Sequence, residues 1–142
     1  MLLETLLPWM LGALFGSMLF FAVTVAPTVF QALDADQGSA FLRRFFPKYY
    51  LWGIVLASLS MMLAGFVNGL HWTTASCVIV LVLFLYARQI LMPRINQARD
   101  QDRSGDAIAA ERFKRLHLQS VIINGLQLLL LLGLTLALGL SG

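Results

Sequence analysis

LQSVIINGLQLLLLLGLTLALGL, from Leu118 to Leu140, runs its whole length without an Asp, Glu, Lys or Arg. At about 1.5 Å of rise per residue, a helix of this length crosses a hydrocarbon core of about 30 Å. In lipid every backbone amide and carbonyl needs a partner within the segment, so the run is a helix. Three earlier runs match it in length and character, giving spans at about 6–30, 50–70, 72–92 and 118–140 in a single domain. The third is continuous from Trp72 to Ala87 and then meets Arg88. A long arginine stem can lift its charge to the interface, so the span is kept with Arg88 near water. The fold expected is all-α, an antiparallel four-helix transmembrane bundle.

Composition agrees. Hydrophobic residues make up 59% of the 142 and charged residues 12%, with a mean hydropathy of +0.81. Soluble domains carry about 25% charged residues, which they need to wet their surface. The lipid bilayer is therefore the expected partner. The +3 net charge gives no case for nucleic acid, because the cations flank apolar runs. Cys77 is the single cysteine, which excludes an intramolecular disulfide and a cysteine metal motif.

All ten Lys and Arg residues fall on one side of the spans or at its edge. The positive-inside rule places segments 31–49 and 93–117 in the cytoplasm and both termini outside, in a bacterial inner membrane. Trp9 and Trp72 are expected at the outer interface, and Tyr49, Tyr50 and Trp52 at the inner one. Val23 to Ala26 offers small residues of the kind cleaved by signal peptidase. The preceding stretch has Glu4 and no Lys or Arg, and its apolar run is long, so retention is expected.

Within the first cytoplasmic segment, Ser39 is expected to cap a short interfacial helix ending at Pro47. Phe41, Leu42, Phe45 and Phe46 would face lipid, and Arg43 and Arg44 the headgroups. Asp102 to Asp106 has turn composition. Ala107 to Leu116 has good helix formers, extending the fourth span into the cytoplasm. Pro27 reads as a helix end or a kink, and Pro93 as loosening the third span. Small-residue spacings suggest helix packing: Gly12 and Gly16 in span one, Gly53, Ala57, Ser60 and Ala64 in span two, Gly133 and Ala137 in span four. Whether any of these faces makes a homo-oligomer is open.

Span four carries a polar stripe. His117, Ser120, Asn124 and Gln127 fall within a sector of about 80° at about 100° per residue. Such groups avoid lipid and point into the bundle. They are either hydrogen-bonding glue to Ser17, Thr24, Ser58 or Ser60, or the wall of a pocket for a headgroup, cofactor or solute. His117 suits haem ligation or proton transfer by type. His71 lies on the opposite face of the membrane, which removes bis-histidine haem, while a single-histidine haem stays open without a supporting residue. No cofactor and no metal are expected. No acid lies deep in a span, against a carboxylate-driven antiporter. No phosphate loop, HExxH or Ser-His-Asp set appears, so an enzyme is not the expected class.

Val25-Ala26-Pro27-Thr28-Val29-Phe30, Phe46-Pro47-Lys48-Tyr49-Tyr50 and Arg115-Leu116-His117-Leu118-Gln119-Ser120, with Asn124, Gln127 and Leu128, follow in order along the chain. In these motifs the chain resembles the transmembrane protein 205-like family, domain of unknown function 4149, over nearly its whole length. The resemblance implies a four-span membrane protein without a settled activity. It marks Pro27, Pro47, Tyr49, Tyr50, Arg115, His117, Ser120 and Asn124 as candidate positions. More distantly it is similar to copper-resistance protein D and HemJ-type oxidases, some of which use haem, whose haem-bearing residues do not map here. Three functions follow as expectations: a membrane protein binding a lipid or small ligand, with Arg43, Arg44, Lys114 and Arg115 for anionic headgroups; a haem- or quinone-binding redox protein; and a small-solute transporter.

Overall fold

The computed structural model describes residues 2–69 and 71–140, with the side chains of 2–4 and 140 left aside. The expected end of span two at Leu70, the outward Glu4 side chain and the uncharged tail at 141–142 therefore lie outside what is described. Four long helices form the bundle. Helix α1 covers residues 2–32, α2 is Ala35–Asn68, α3 is Trp72–Arg103 and α4 is Ala107–Leu140. No strand occurs among the described residues. All four helices are long and apolar enough to cross a membrane, so the chain is a multi-pass membrane protein.

The helices pack in chain order around a square, α1 on α2, α2 on α3, α3 on α4, and α4 back on α1. The core is apolar: Leu7, Leu11, Leu14 and Met18 of α1, Leu56 and Ala57 of α2, Val80 and Phe84 of α3, Leu131 and Leu134 of α4. The outer faces are apolar too, with Phe66, Val82, Leu129 and Leu136 exposed, as lipid contact requires.

The helices outrun the spans expected for them. A 34-residue helix such as α2 or α4 is about 51 Å long, against a hydrocarbon core of about 30 Å. The excess projects at the basic end, so most of 31–49 and 93–117 is helix rather than loop. Asp34 caps α2 by accepting from the amides of Asp36 and Gln37, at 3.0 and 2.8 Å. Asp106 caps α4 in the same way, accepting from Ile108 and Ala109. The Ser39 cap is thus displaced by Asp34, and Pro47 sits inside α2 instead of ending it. Losing one amide is tolerable in a helix held by its neighbours. The turn at Ser104 and Gly105 and the continuous α4 from Ala107 are as expected; Gly105 has φ of +92°, and Gly69 of the other turn +61°.

Helices α1 and α3 each contain a π-turn, Phe21–Val25 and Ala87–Leu91, in which Ala26 donates to the Phe21 carbonyl and Met92 to the Ala87 carbonyl. A proline, Pro27 or Pro93, follows each after one residue, and the helix runs on past it, so neither proline ends its helix. The wider turn absorbs the residue that cannot donate.

Small residues pack unevenly. Gly53, Ala57, Ser60 and Ala64 are buried as expected, and a Cβ on Gly53 would stand 2.4 Å from Phe84. Gly12, Gly16 and Gly133 would meet nothing within 4 Å, so these do not serve close helix contact inside the bundle. The face of α1 that packs is the leucine face, and pattern alone could not say which face turned inward.

Candidate functional site

Helix α1 packs against α4 up to its π-turn, and beyond it the Ala26–Ala32 segment packs chiefly on α2. This divergence leaves a gap between α1 and α4 at the basic end. A cavity of about 280 Å³ fills it, with walls from all four helices. Its inner wall is aromatic: Phe21 of α1, and Phe46, Tyr49 and Tyr50 of α2. The Phe21 ring lies 4.9 Å from Tyr49 and 5.4 Å from Phe46, and Phe46 stacks on Tyr50 at 5.5 Å. Such rings offer a rigid apolar surface with polar edges. Tyr49 and Tyr50 therefore turn into the bundle, not to the headgroup belt. Leu42 is buried and Phe45 and Phe46 join this cluster rather than lipid, correcting the interfacial helix; Phe41 stays exposed.

The opposite wall is the polar stripe of α4. His117, Ser120 and Asn124 line the cavity. Asn124 accepts a hydrogen bond from the Tyr49 hydroxyl at 3.3 Å, joining the two walls. The Ser120 hydroxyl donates to the His117 carbonyl at 2.7 Å. Gln127 parts company with them. It is fully buried and donates to the Val80 carbonyl on α3 at 3.2 Å, as helix–helix glue. Among the described residues none of the partners expected for the stripe is used: Ser17 instead accepts from the Trp52 indole, and Ser60 is buried with no partner for its hydroxyl.

The rim towards the basic end is charged. Arg43 of α2 reaches Asp100 of α3 at 2.6 Å and the Asn96 carbonyl at 3.4 Å. Arg103 pairs with Asp36 at 2.5 Å. Arg99 donates to the Ser39 hydroxyl at 2.8 Å, and its guanidinium lies over the Phe113 ring at 4.5 Å. Phe113 in turn stacks on His117, 5.9 Å between centroids. These groups sit on the helix extensions beyond the apolar spans. The hydrogen bond from Arg43 holds the Asp100 carboxyl below its ordinary pKa. Burial, then Arg103 and Arg43, pushes Arg99 down, and burial, then Arg99, does the same to His117.

Of the other expected positions, Pro27 and Pro47 shape the helices around the cavity without lining it. Arg43 lines the cavity while its head pairs with Asp100. Arg44, Lys114 and Arg115 are exposed and away from the cavity. His71 begins α3 at the other end, 3.2 Å from the Thr73 hydroxyl. Phe21, Asn96 and Arg99 are wall residues that the sequence reading did not single out. The one signal for Arg99 was its spacing, one turn before Arg103 and near Asp100, which looks like any solvated helix end.

Comparison with known proteins gives the chain its relatives. An uncharacterized protein of Aquifex aeolicus (strain VF5) is 32% identical over 114 residues, covering 80% of each chain. No solved structure matches. A family profile matches residues 9–104, which includes most of α1 and all of α2 and α3, with Arg99, Tyr49, Pro27, Pro47 and Pro93, and stops short of His117. With more than half of its length matched, the chain belongs to the family described as Domain of unknown function (DUF4149).

Proposed function

We propose that this protein binds a polar-headed amphiphile, a lipid or small ligand, in the cavity between α1 and α4, and acts as a binding protein rather than a catalyst. The observation that carries this is the meeting of His117, Ser120 and Asn124 with the aromatic wall of Phe21, Phe46 and Tyr49 in one cavity. Its depth fits. Asn124 stands about 24 Å along α4 from Leu140 and His117 about 35 Å, straddling the edge of a hydrocarbon core of about 30 Å. Head and chain of an amphiphile meet at that level. A volume of about 280 Å³ takes a head or a single ring, and the gap beside α1 leaves a way out for a chain.

We place it in a bacterial inner membrane with both termini outside, a reading supported by the ten cations at one end and by the bacterial relative. Within its family, the order of its Pro27, Pro47 and His117 motifs supports membership among the transmembrane protein 205-like proteins.

Native mass spectrometry of the protein, purified in mild detergent, tests the binding. Wild type is expected to carry a bound small molecule. Asn124→Leu, which removes the polar group joining the walls, is expected to lower occupancy about tenfold. Spectra free of any bound species, or equal occupancy in the variant, would sink the proposal.

A further inference from the structure

Three arginines face one another across α2 and α3 at the basic end, and two aspartates answer them. Asp100 takes Arg43 and Asp36 takes Arg103. Among the described residues no carboxylate lies within ion-pair distance of Arg99. This third guanidinium is half-buried, lines the cavity, and has the Ser39 hydroxyl as its hydrogen-bond acceptor. A guanidinium has five N–H donors in a planar fork, and one such bond leaves it far from satisfied. The cavity wall carries Arg43 and Arg99 and neither Asp nor Glu. Asp100 steadies Arg99 through space but is already paired with Arg43, and a half-buried positive charge with cationic neighbours is further stabilised by an anion.

The geometry points to an oxyanion, phosphate or carboxylate, as the group held at the mouth of this cavity, with Arg99 as its anchor. The Phe113 ring lies 4.5 Å from the guanidinium carbon and restrains the group that would make paired bonds to such an anion. Asn96 on α3 and His117 on α4 also line the cavity and would supply further polar contacts. Whatever apolar part the anion carries lies on Phe21 and Phe46. This rests on the reading of the cavity as a ligand site, and adds the charge class of what enters it. Arg99, not the exposed Arg44, Lys114 or Arg115, is then the cation that matters.

The test uses the full chain in neutral maltoside detergent, titrated by native mass spectrometry with phosphatidylglycerol and with phosphatidylcholine of the same chains. Inorganic phosphate is added in a separate arm as competitor. Phosphatidylglycerol is expected to bind more tightly than phosphatidylcholine. Arg99→Gln should weaken it about ten- to hundredfold, and Arg99→Lys, which keeps the charge and loses the fork, by less. Arg44→Gln removes the same charge away from the cavity and should leave binding within about twofold. Competition by millimolar phosphate, dependent on Arg99, would also support the oxyanion class and assign its source to a soluble anion. Equal binding of both lipids, unaffected by Arg99→Gln yet lost in Asn124→Leu, would overturn the anion and leave the cavity reading standing. Equal losses in Arg44→Gln and Arg99→Gln would overturn the anchor in favour of general surface charge. Should neither lipid nor phosphate bind, the oxyanion anchor falls, and the cavity reading falls with it only where wild type also carries no bound species as purified. The Arg99→Lys protein guards against a folding defect in Arg99→Gln.

Discussion

Gln127 and Asn124 lie one helical turn apart on α4 and do different work. Gln127 spends its amide on the second lone pair of the Val80 carbonyl, inside the core. Gln127→Leu should therefore cost about 0.6–1.7 kcal/mol in detergent unfolding while leaving ligand occupancy unchanged. A loss of occupancy instead would extend the site down to Gln127. Asp100 gives a pH prediction. Its carboxyl is held below the ordinary value, so its pairing with Arg43 adds stability above the unfolded carboxylate pKa of about 3.9. That contribution disappears as pH falls through the lower folded value. Wild type should melt above Asp100→Asn at pH 6, and the two should converge in strong acid. A gap that persists in acid would mean the ion pair is not its source. Periodicity alone revealed His117, Ser120 and Asn124, because polar groups are conspicuous in an apolar run. Phe21 was silent and Phe46 was placed against lipid for the opposite reason: an aromatic ring in an apolar setting carries no mark of facing a cavity.

Helices bring these side chains together through two departures from regularity. The π-turn at Phe21–Val25 accompanies the departure of α1 from α4, and Pro27 follows it. Deleting Val23 should turn this stretch into ordinary α-helix while both flanks keep their faces. A protein that stays monodisperse with near wild-type melting, but loses its bound species, is the expected result. Retained occupancy would detach the cavity from the π-turn. The second departure is close approach. Gly53 lets the Phe84 ring sit where a Cβ would be, 2.4 Å away, and that ring is fully buried. Gly53→Ala should cost about 1–3 kcal/mol in thermal or denaturant unfolding. An unchanged midpoint would show that Phe84 can move aside. The sequence carried the Gly53 stripe and the Gly12–Gly16 stripe in the same notation, and which one was buried depended on partners far along the chain. Proline was misleading for a related reason. Its missing amide is visible in sequence, whereas the wide turn that accommodates it is a property of the packed helix.

At the scale of the whole protein, hydropathy alone was enough for four antiparallel spans, since nothing but lipid can cover such faces. Length was harder, because a charged helix end and a loop have the same composition; only the Asp34 and Asp106 caps mark where the helices begin. Orientation is tested by fusions at both ends. Alkaline phosphatase attached to either terminus should be active in a bacterial host, and a fluorescent protein exported there in unfolded form should be dark. The reverse pattern would invert the assignment and put the cation-rich rim outside.

The paired π-turn, proline and aspartate cap give the bundle a concealed repetition. Residues 2–68 and 72–140 read as two hairpins of one design, α1 with α2 and α3 with α4, each with its π-turn, proline and aspartate cap in the same order. In that correspondence the seam between α2 and α3 answers to the seam between α4 and α1. Gly53 and Gly125 stand at the same distance from their caps and are each other's counterparts. One is stoppered by the chain's own Phe84, while a Cβ on the other would meet nothing within 4 Å. The same position in the two hairpins thus has opposite tolerance: a methyl group at Gly53 collides with a buried ring, and one at Gly125 has room.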